Sequence, residues 1–420
     1  MYLQDNELLD SFQSAYKPGH SVETLLDNLL DIVFRELDSG NITALIMLDM
    51  SSAFDTVDHA ILIQRLRYLG IKGTVLDWFI SYLCDRSHYV RIGDSTSCKT
   101  MTKFGVPQGS VGGPLLFSLY MQPISEVFRK HCISYHCYAD DIQLYLSFKP
   151  TVSSLSSAIA KLEACLQDLK IWLTSNGLKL NDDKSEFLLL GSKHMLSKVD
   201  YQSCHVNIGS TCITPSKTAR NLGVIFDQEM SFRSHVTHIQ RNVRYQLRNL
   251  SFIRKYLSKS AAEILIHALI SSRLDFSNSL LCNLSKKDVT KLQRLQNSAA
   301  RLLTFTNKFD SMSPVLRSLH WLPVEKRIIF KILLLVHHSV HSFSPIYISN
   351  SVQKYNPTRR LRSSSDTFLL QTPRVKHGYG DHAFSVMGPK LWNKLPLQLR
   401  ELSSTESFKS KLKTYLFLSY

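Results

Sequence analysis

In this 420-residue chain, two separate stretches end apolar strand-length runs on carboxylates, and few folds accommodate that. Ile133-Ser134-Tyr135-His136-Cys137 and Ile142-Gln143-Leu144-Tyr145-Leu146 flank Tyr138-Ala139-Asp140-Asp141. Both runs are rich in β-branched and aromatic residues, so they read as a β-hairpin with the aspartates at its tip. Adjacent carboxylates in a tight turn repel each other and lose hydration, a cost that a neighbouring cation offsets. Upstream, Ala44-Leu45-Ile46-Met47-Leu48 reads as a further apolar strand and ends on Asp49. If these strands are neighbours in one sheet, Asp49 and Asp140 converge on a divalent-metal site for phosphoryl transfer.

The charge is unevenly spread. Of a net +16, residues 1–200 hold 18 Lys+Arg against 23 Asp+Glu, and residues 201–420 hold 32 against 11, so the halves are −5 and +21. A basic half of that size points to a polyanion. For any single residue, a solvated helix face is the bland alternative. A helix expected over 235–257 leaves Arg241, Arg244, Arg248 and Arg254 largely off its apolar stripe. A second, over 288–303, carries Lys291, Arg294 and Arg301. These are candidate contacts to a phosphate backbone.

Eight cysteines without a CxxC pair read as reduced thiols of an intracellular protein. His337, His338 and His341 lack a cysteine pair or a nearby acid, so they read as structural rather than zinc-binding. The longest apolar stretch, 328–336, is too short to span a bilayer, and no membrane partner is expected.

Periodicity predicts helices over 22–37, 58–69 with Asp58 as cap, 74–83, 115–128, 155–172, 261–272 and 324–338. A hairpin about Gly93-Asp94 is expected to join 89–92 to 99–104. Further strands are expected at 185–190 and 221–226, with a hairpin at 206–214. Residues 105–114 form a glycine-rich turn, and 355–380 read as loop or linker.

Three motifs in this order carry a family resemblance: Leu48-Asp49-Met50-Ser51-Ser52-Ala53-Phe54-Asp55, Gly105-Val106-Pro107-Gln108-Gly109-Ser110 and Tyr138-Ala139-Asp140-Asp141. They resemble the successive palm motifs of reverse transcriptases, in the form found in non-long-terminal-repeat (LINE-type) retrotransposons. Arg294-Leu295-Gln296-Asn297, His320-Trp321-Leu322-Pro323 and Trp392-Asn393-Lys394-Leu395-Pro396 resemble the carboxyl-terminal region of such elements.

The resemblance implies that Asp49 and Asp140 hold two Mg²⁺ ions, with Mn²⁺ an alternative, and that Asp141 adds charge or a ligand. Phe54 would pack under the sugar of the incoming nucleotide and exclude a 2′-hydroxyl; it reads equally as core. Gln108 would touch the nucleotide or template, and Gly109 would allow close backbone approach. Lys17 falls where the family has an arginine reaching the triphosphate. Lys184 matches a lysine that protonates the departing pyrophosphate; a solvated lysine is the alternative. Asp55 and His59 are expected to fix the strand-to-helix turn.

The expected fold is an α/β right-hand polymerase, with incomplete fingers and palm over 1–200, a connection and helical thumb over 201–305, and a basic carboxyl-terminal region over 306–420. Relative to the family pattern the chain reads as amino-terminally truncated, without an upstream endonuclease. Gly112 stands where leucine is common. The implied activity is RNA-directed DNA synthesis on an RNA template with a DNA primer and deoxynucleoside triphosphates. The alternative is an inactive remnant that only binds nucleic acid.

Overall fold

Ile42–Leu48 is buried along its whole length and forms β1, as suits a strand covered on both faces. It lies inside a four-stranded sheet of order β2-β3-β1-β4, where β2 is Ser134–Tyr138, β3 is Asp141–Phe148 and β4 is Glu186–Leu190. β2 and β3 are antiparallel, with Tyr138 opposite Asp141, so Ala139 and Asp140 make the turn. Thr43 Oγ1 lies 2.9 Å from Ser147 Oγ. Asp49, directly after β1, lies near enough to Asp141, the first residue of β3, to raise its carboxyl, so the two stand at the same end of the sheet.

The computed structural model describes residues 2–6, 8–199, 204–209, 211–356 and 368–419. The chain divides into two compact units that alternate along the sequence. The first holds residues up to Pro18, Thr43–Leu189 and Leu196–Ser216; the second holds Gly19–Ile42, Leu190–Met195 and the chain from Lys217 onward.

In the first unit, the helix Val152–Ser175 starts at a Thr151 cap and packs on β3. Its buried residues Leu155, Ala158, Leu162, Leu166, Leu169 and Leu173 recur at three- and four-residue spacing. Asp58 caps the helix His59–Tyr68 by accepting from the Ala60 and Ile61 N–H groups, as expected. The expected helix over 115–128 is instead two, Gly113–Met121 and Ile124–Lys130. The break falls at Gln122-Pro123, where proline has no N–H to continue the ladder. The hairpin about Gly93-Asp94 is a ribbon in two pieces: Arg91–Ile92 pairs with Ser95–Thr96, and Ser87–His88 with Thr100–Met101.

The second unit is mainly helical. The helix Val22–Asp38 opens on a Ser21 capping box and buries Glu23, Asp27, Asp31 and Asp38. Each carboxylate has a partner: Ser279 donates to Glu23 and Asp27, the Ser385 N–H to Asp31, and the Lys376, His377 and Gly380 N–H groups to Asp38. The helices Arg233–Ile253 and Lys286–Thr304 pack on one another through their apolar stripes.

The expected single strand at 221–226 is the second half of a hairpin, Thr218–Asn221 with Val224–Asp227. Leu222 and Gly223 turn it with φ of 44° and 90°. The helix expected over 261–272 is interrupted by a π-helical turn at His267–Ser271. Within the stretch expected to be linker, 357–367 lie outside the described residues. Leu369 and Leu370, by contrast, are tied: Tyr355 N–H donates to Leu369 O, and Asn393 bonds both the N–H and the carbonyl of Leu370. His337 is fully buried, stacks on Phe408 at 4.2 Å and bonds the Leu402 carbonyl, a packing role.

Candidate active site

β1 delivers Asp49, and the residues that follow hold its backbone. Asn181 N–H donates to the Asp49 carbonyl at 2.8 Å, and Ser51 N–H to the Lys179 carbonyl at 3.0 Å. The Asn181 side-chain amide also donates to Asp49 Oδ2 at 3.2 Å. The turn Asp182–Lys184 before β4 brings Lys184 Nζ to 3.3 Å from the same oxygen.

The hairpin tip brings the other two carboxylates to this end of the sheet. Asp141 is pushed up to about 6, first by burial, then by Asp140 and Asp49, with Lys184 opposing. Asp140 is raised by burial and by Asp49, again opposed by Lys184. Three carboxylates and one ammonium therefore share a field that none escapes.

The tip is strained and braced. Ala139 has φ 58°, a conformation that costs an L-residue about 1–2 kcal/mol. The buried side chain of Gln13 closes it: Oε1 accepts from Ala139 N–H at 2.9 Å and from Ala15 N–H at 3.0 Å, and Nε2 donates to Ala139 O at 3.2 Å. Tyr16 lies near enough for Asp140 to raise its phenol, after burial. Sequence reasoning missed Gln13, Asn181 and Tyr16, which sit in stretches with no periodicity. Only the packed fold brings Gln13 to a turn 126 residues away.

The other expected residues are distributed as follows. Phe54 is half-buried and stacks on Phe117, with ring centroids 4.3 Å apart, so it is partly core. Gln108 is exposed and donates to Asp55 Oδ1 at 2.9 Å. Gly109 has φ +77°, and nothing lies within 4 Å of where a Cβ would stand. His59 bonds the Gly105 carbonyl at 2.7 Å, which ties the glycine-rich turn to the segment after Asp49.

Lys17 is not brought to the carboxylates' field. Its ammonium donates to the Asp10 carbonyl, its burial lowers its pKa, and it lines a small pocket with Gln13, Ser118, Met121 and Gln122.

In the second unit Arg241, Arg244, Arg248 and Arg294 are exposed. Lys291 is not free: it pairs with Asp288 at 2.7 Å. Arg254 is buried and donates to the Leu302 and Leu303 carbonyls, capping the end of the helix Lys286–Thr304. Arg301 donates to the Asn307 and Asp310 carbonyls.

Among the described residues no three His, Cys, Asp or Glu side chains are already gathered as a ligand set. The donor chemistry nonetheless suits a hard divalent ion, because Asp49, Asp140 and Asp141 are oxygen donors whose mutual repulsion a cation relieves.

The profile of the family described as reverse transcriptase (RNA-dependent DNA polymerase) matches residues 1–226, more than half of the chain. The chain belongs to the reverse transcriptase family. This reverse transcriptase-family chain is 24% identical over 387 residues to the Probable RNA-directed DNA polymerase from transposon BS of Drosophila melanogaster, covering 88% of the chain and 41% of that protein. It is 22% identical over 313 residues to the RNA-directed DNA polymerase from mobile element jockey of the same organism, covering 70% and 32%. It thus spans well under half the length of these curated relatives. These relatives agree with a non-long-terminal-repeat type. Apo telomerase from Candida tropicalis is similar at TM-score 0.39 and 12% identity, over 78% of this chain and 53% of that one. The reverse transcriptase family uses divalent metal ions. Among the described residues no helix is long and apolar enough to cross a membrane.

Proposed function

We propose that the carboxylate end of the sheet carries RNA-directed DNA synthesis, extending a DNA primer on an RNA template with deoxynucleoside triphosphates. In this reading the first unit contains the palm, and the helices Arg233–Ile253 and Lys286–Thr304 belong to a thumb. The observation that supports it most is the shared field of Asp49, Asp140 and Asp141 at one end of neighbouring strands, inside a chain of this family.

Asp49, Asp140 and Asp141 would hold two Mg²⁺ ions, which supply Lewis acidity at the attacking and departing oxygens of an in-line displacement. Asn181 fixes the Asp49 carboxylate through its amide. Gln13 holds the tip so that Asp140 keeps one position. Lys184 lies on the cluster and would give its proton to the departing pyrophosphate. Phe54, stacked on Phe117, would present a ring edge where a 2′-hydroxyl would otherwise sit. Arg241, Arg244, Arg248 and Arg294 would meet backbone phosphates; Arg241, with Arg220 and Arg273, also lies near His238, whose pKa is lowered by burial and by these three cations.

The test is primer extension by the purified chain on a homopolymeric RNA template with Mg²⁺. Extension by the wild type, with loss in Asp140→Asn at unchanged melting temperature, supports the assignment. Equal extension by the two proteins refutes it.

A further inference from the structure

A second surface of the first unit carries chemistry that the carboxylate site does not use. Trp78 and Tyr82 stand one turn apart on the helix Gly73–Leu83. Their rings are stacked, 12° from parallel with centroids 5.3 Å apart. Arg86 extends the stack, its guanidinium 5.2 Å from the Tyr82 ring centroid and anchored by Nη1 donating to the Tyr82 carbonyl. Trp78 is 57% exposed, whereas Trp321 and Trp392 are 4% and 0%. Tyr82 is half-buried with its hydroxyl enclosed, so the open end of the ladder is Trp78.

The ribbon that follows extends this surface. Every residue from 84 to 101 is exposed, among them Tyr89, Val90, Ile92 and Met101. A two-stranded ribbon with no packed face is at best marginally stable in water. Residues 84–104 carry Arg86, Arg91, Lys99 and Lys103 against Asp85 and Asp94, within a half-chain whose balance is −5. Among the described residues none of these four cations is in an ion pair. At its foot, Phe104 bridges Asp58 and Gly105 N–H donates to Val57 O at 2.8 Å. The ribbon therefore runs directly into the Pro107-Gln108-Gly109 turn.

Stacked rings with an open face, a guanidinium continuing the stack and locally positive charge are what a single strand recognises: bases stack, and phosphates find cations. A protein partner would use the apolar residues but would leave the four cations without a role. We propose that Trp78, Tyr82 and Arg86 form a stacking platform for single-stranded nucleic acid, with Arg91, Lys99 and Lys103 along its phosphates. This deepens the polymerase reading, and rests on it only in naming the strand as template.

The test is binding of a labelled oligo(U) of about 15 nucleotides to the whole chain without metal or nucleotide, read by anisotropy and tryptophan emission. Quenching of emission is expected. Trp78→Ala with Tyr82→Ala should weaken binding at least about tenfold, and Trp78→Phe by no more than about threefold, because a ring of either kind stacks. Asp140→Asn should bind as the wild type does, so a failed extension assay leaves this result readable. Undiminished binding by the double variant overturns the proposal. So does a double variant that instead abolishes self-association, since the surface would then be an interface between copies. If the double variant does not fold, protection of Trp78 from oxidation by oligo(U) decides in the wild type, and absence of protection overturns the proposal.

Discussion

Lys184 Nζ stands 3.3 Å from Asp49 Oδ2, although the lysine side chain is 69% exposed. A lysine so open to solvent contributes little to stability. In the proposed polymerase reading, its place beside Asp49 would give it a task at the reacting end of the sheet. Lys184→Met is expected to leave the melting temperature within about 2 °C. It should slow single-turnover extension by roughly 10²-fold or more, as loss of a general acid does. Lys184→Arg should recover part of the rate, since it keeps a cation beside Asp49. A rate unchanged in Lys184→Met removes the residue from the chemistry.

Asp141 sets a pH dependence. Its folded-state pKa, raised to about 6 by burial, Asp140 and Asp49, exceeds the unfolded value, so the folded chain holds that proton more tightly. The stability tied to the proton is complete below about pH 4 and declines as pH climbs to about 6, beyond which the loss is constant. Asp141→Asn should therefore stabilise the metal-free protein at about pH 8 by roughly 1 kcal/mol, after allowance for solvent screening. At about pH 4 the gain should vanish. Added Mg²⁺ should raise the wild-type melting temperature above pH 6 and have little effect at pH 4. Thermal melts across that range, with and without the ion, check both signs.

Gln13 braces the hairpin tip through three hydrogen bonds, to Ala139 and Ala15. Gln13→Ala leaves buried backbone groups unpaired and should cost about 2 kcal/mol. It should also lower extension more than a stability loss alone predicts, because Asp140 loses its fixed position. Ala139→Gly should stabilise the free protein by about 1 kcal/mol, since glycine adopts positive φ without penalty. Denaturant titrations of both variants, set beside extension rates, separate bracing from chemistry.

Arg254 and Arg248 both fall off the apolar stripe in the sequence and have opposite surroundings. Arg254 is 6% exposed and caps the helix Lys286–Thr304; Arg248 is exposed. Arg254→Ala should destabilise the chain by about 3 kcal/mol, the cost of stranding buried carbonyls. Arg248→Ala should leave the melt unchanged and reduce the salt slope of nucleic-acid binding by about one ion.

Local patterning made much of the site legible. The alternation around Tyr138–Asp141, the apolar run before Asp49 and the Asp58 cap are short-range signals, and the corresponding elements stand where they were expected. Long-range pairing left no such trace. A glutamine 126 residues from its turn looks like any loop polar residue. Lys17 matched a motif position by chain order, yet its ammonium went to the Asp10 carbonyl. The stripe rule could not distinguish exposed Arg248 from buried Arg254, because which arginine meets an open helix end depends on how the next helix docks. Proline broke the helix at Gln122-Pro123 despite strong apolar periodicity, a case of backbone chemistry overriding hydrophobic pattern.

The acidic residues of the helix Val22–Asp38 find Ser279, Ser385 and the 376–380 backbone only in a region synthesised much later. During translation about 240 residues follow this helix before Ser279, the partner of Glu23 and Asp27, is made. Until then its carboxylates stay hydrated and its leucines uncovered, which makes the nascent chain dependent on protection from aggregation. A premature stop before residue 279 would thus release a product in which the helix Val22–Asp38 lacks every one of these partners.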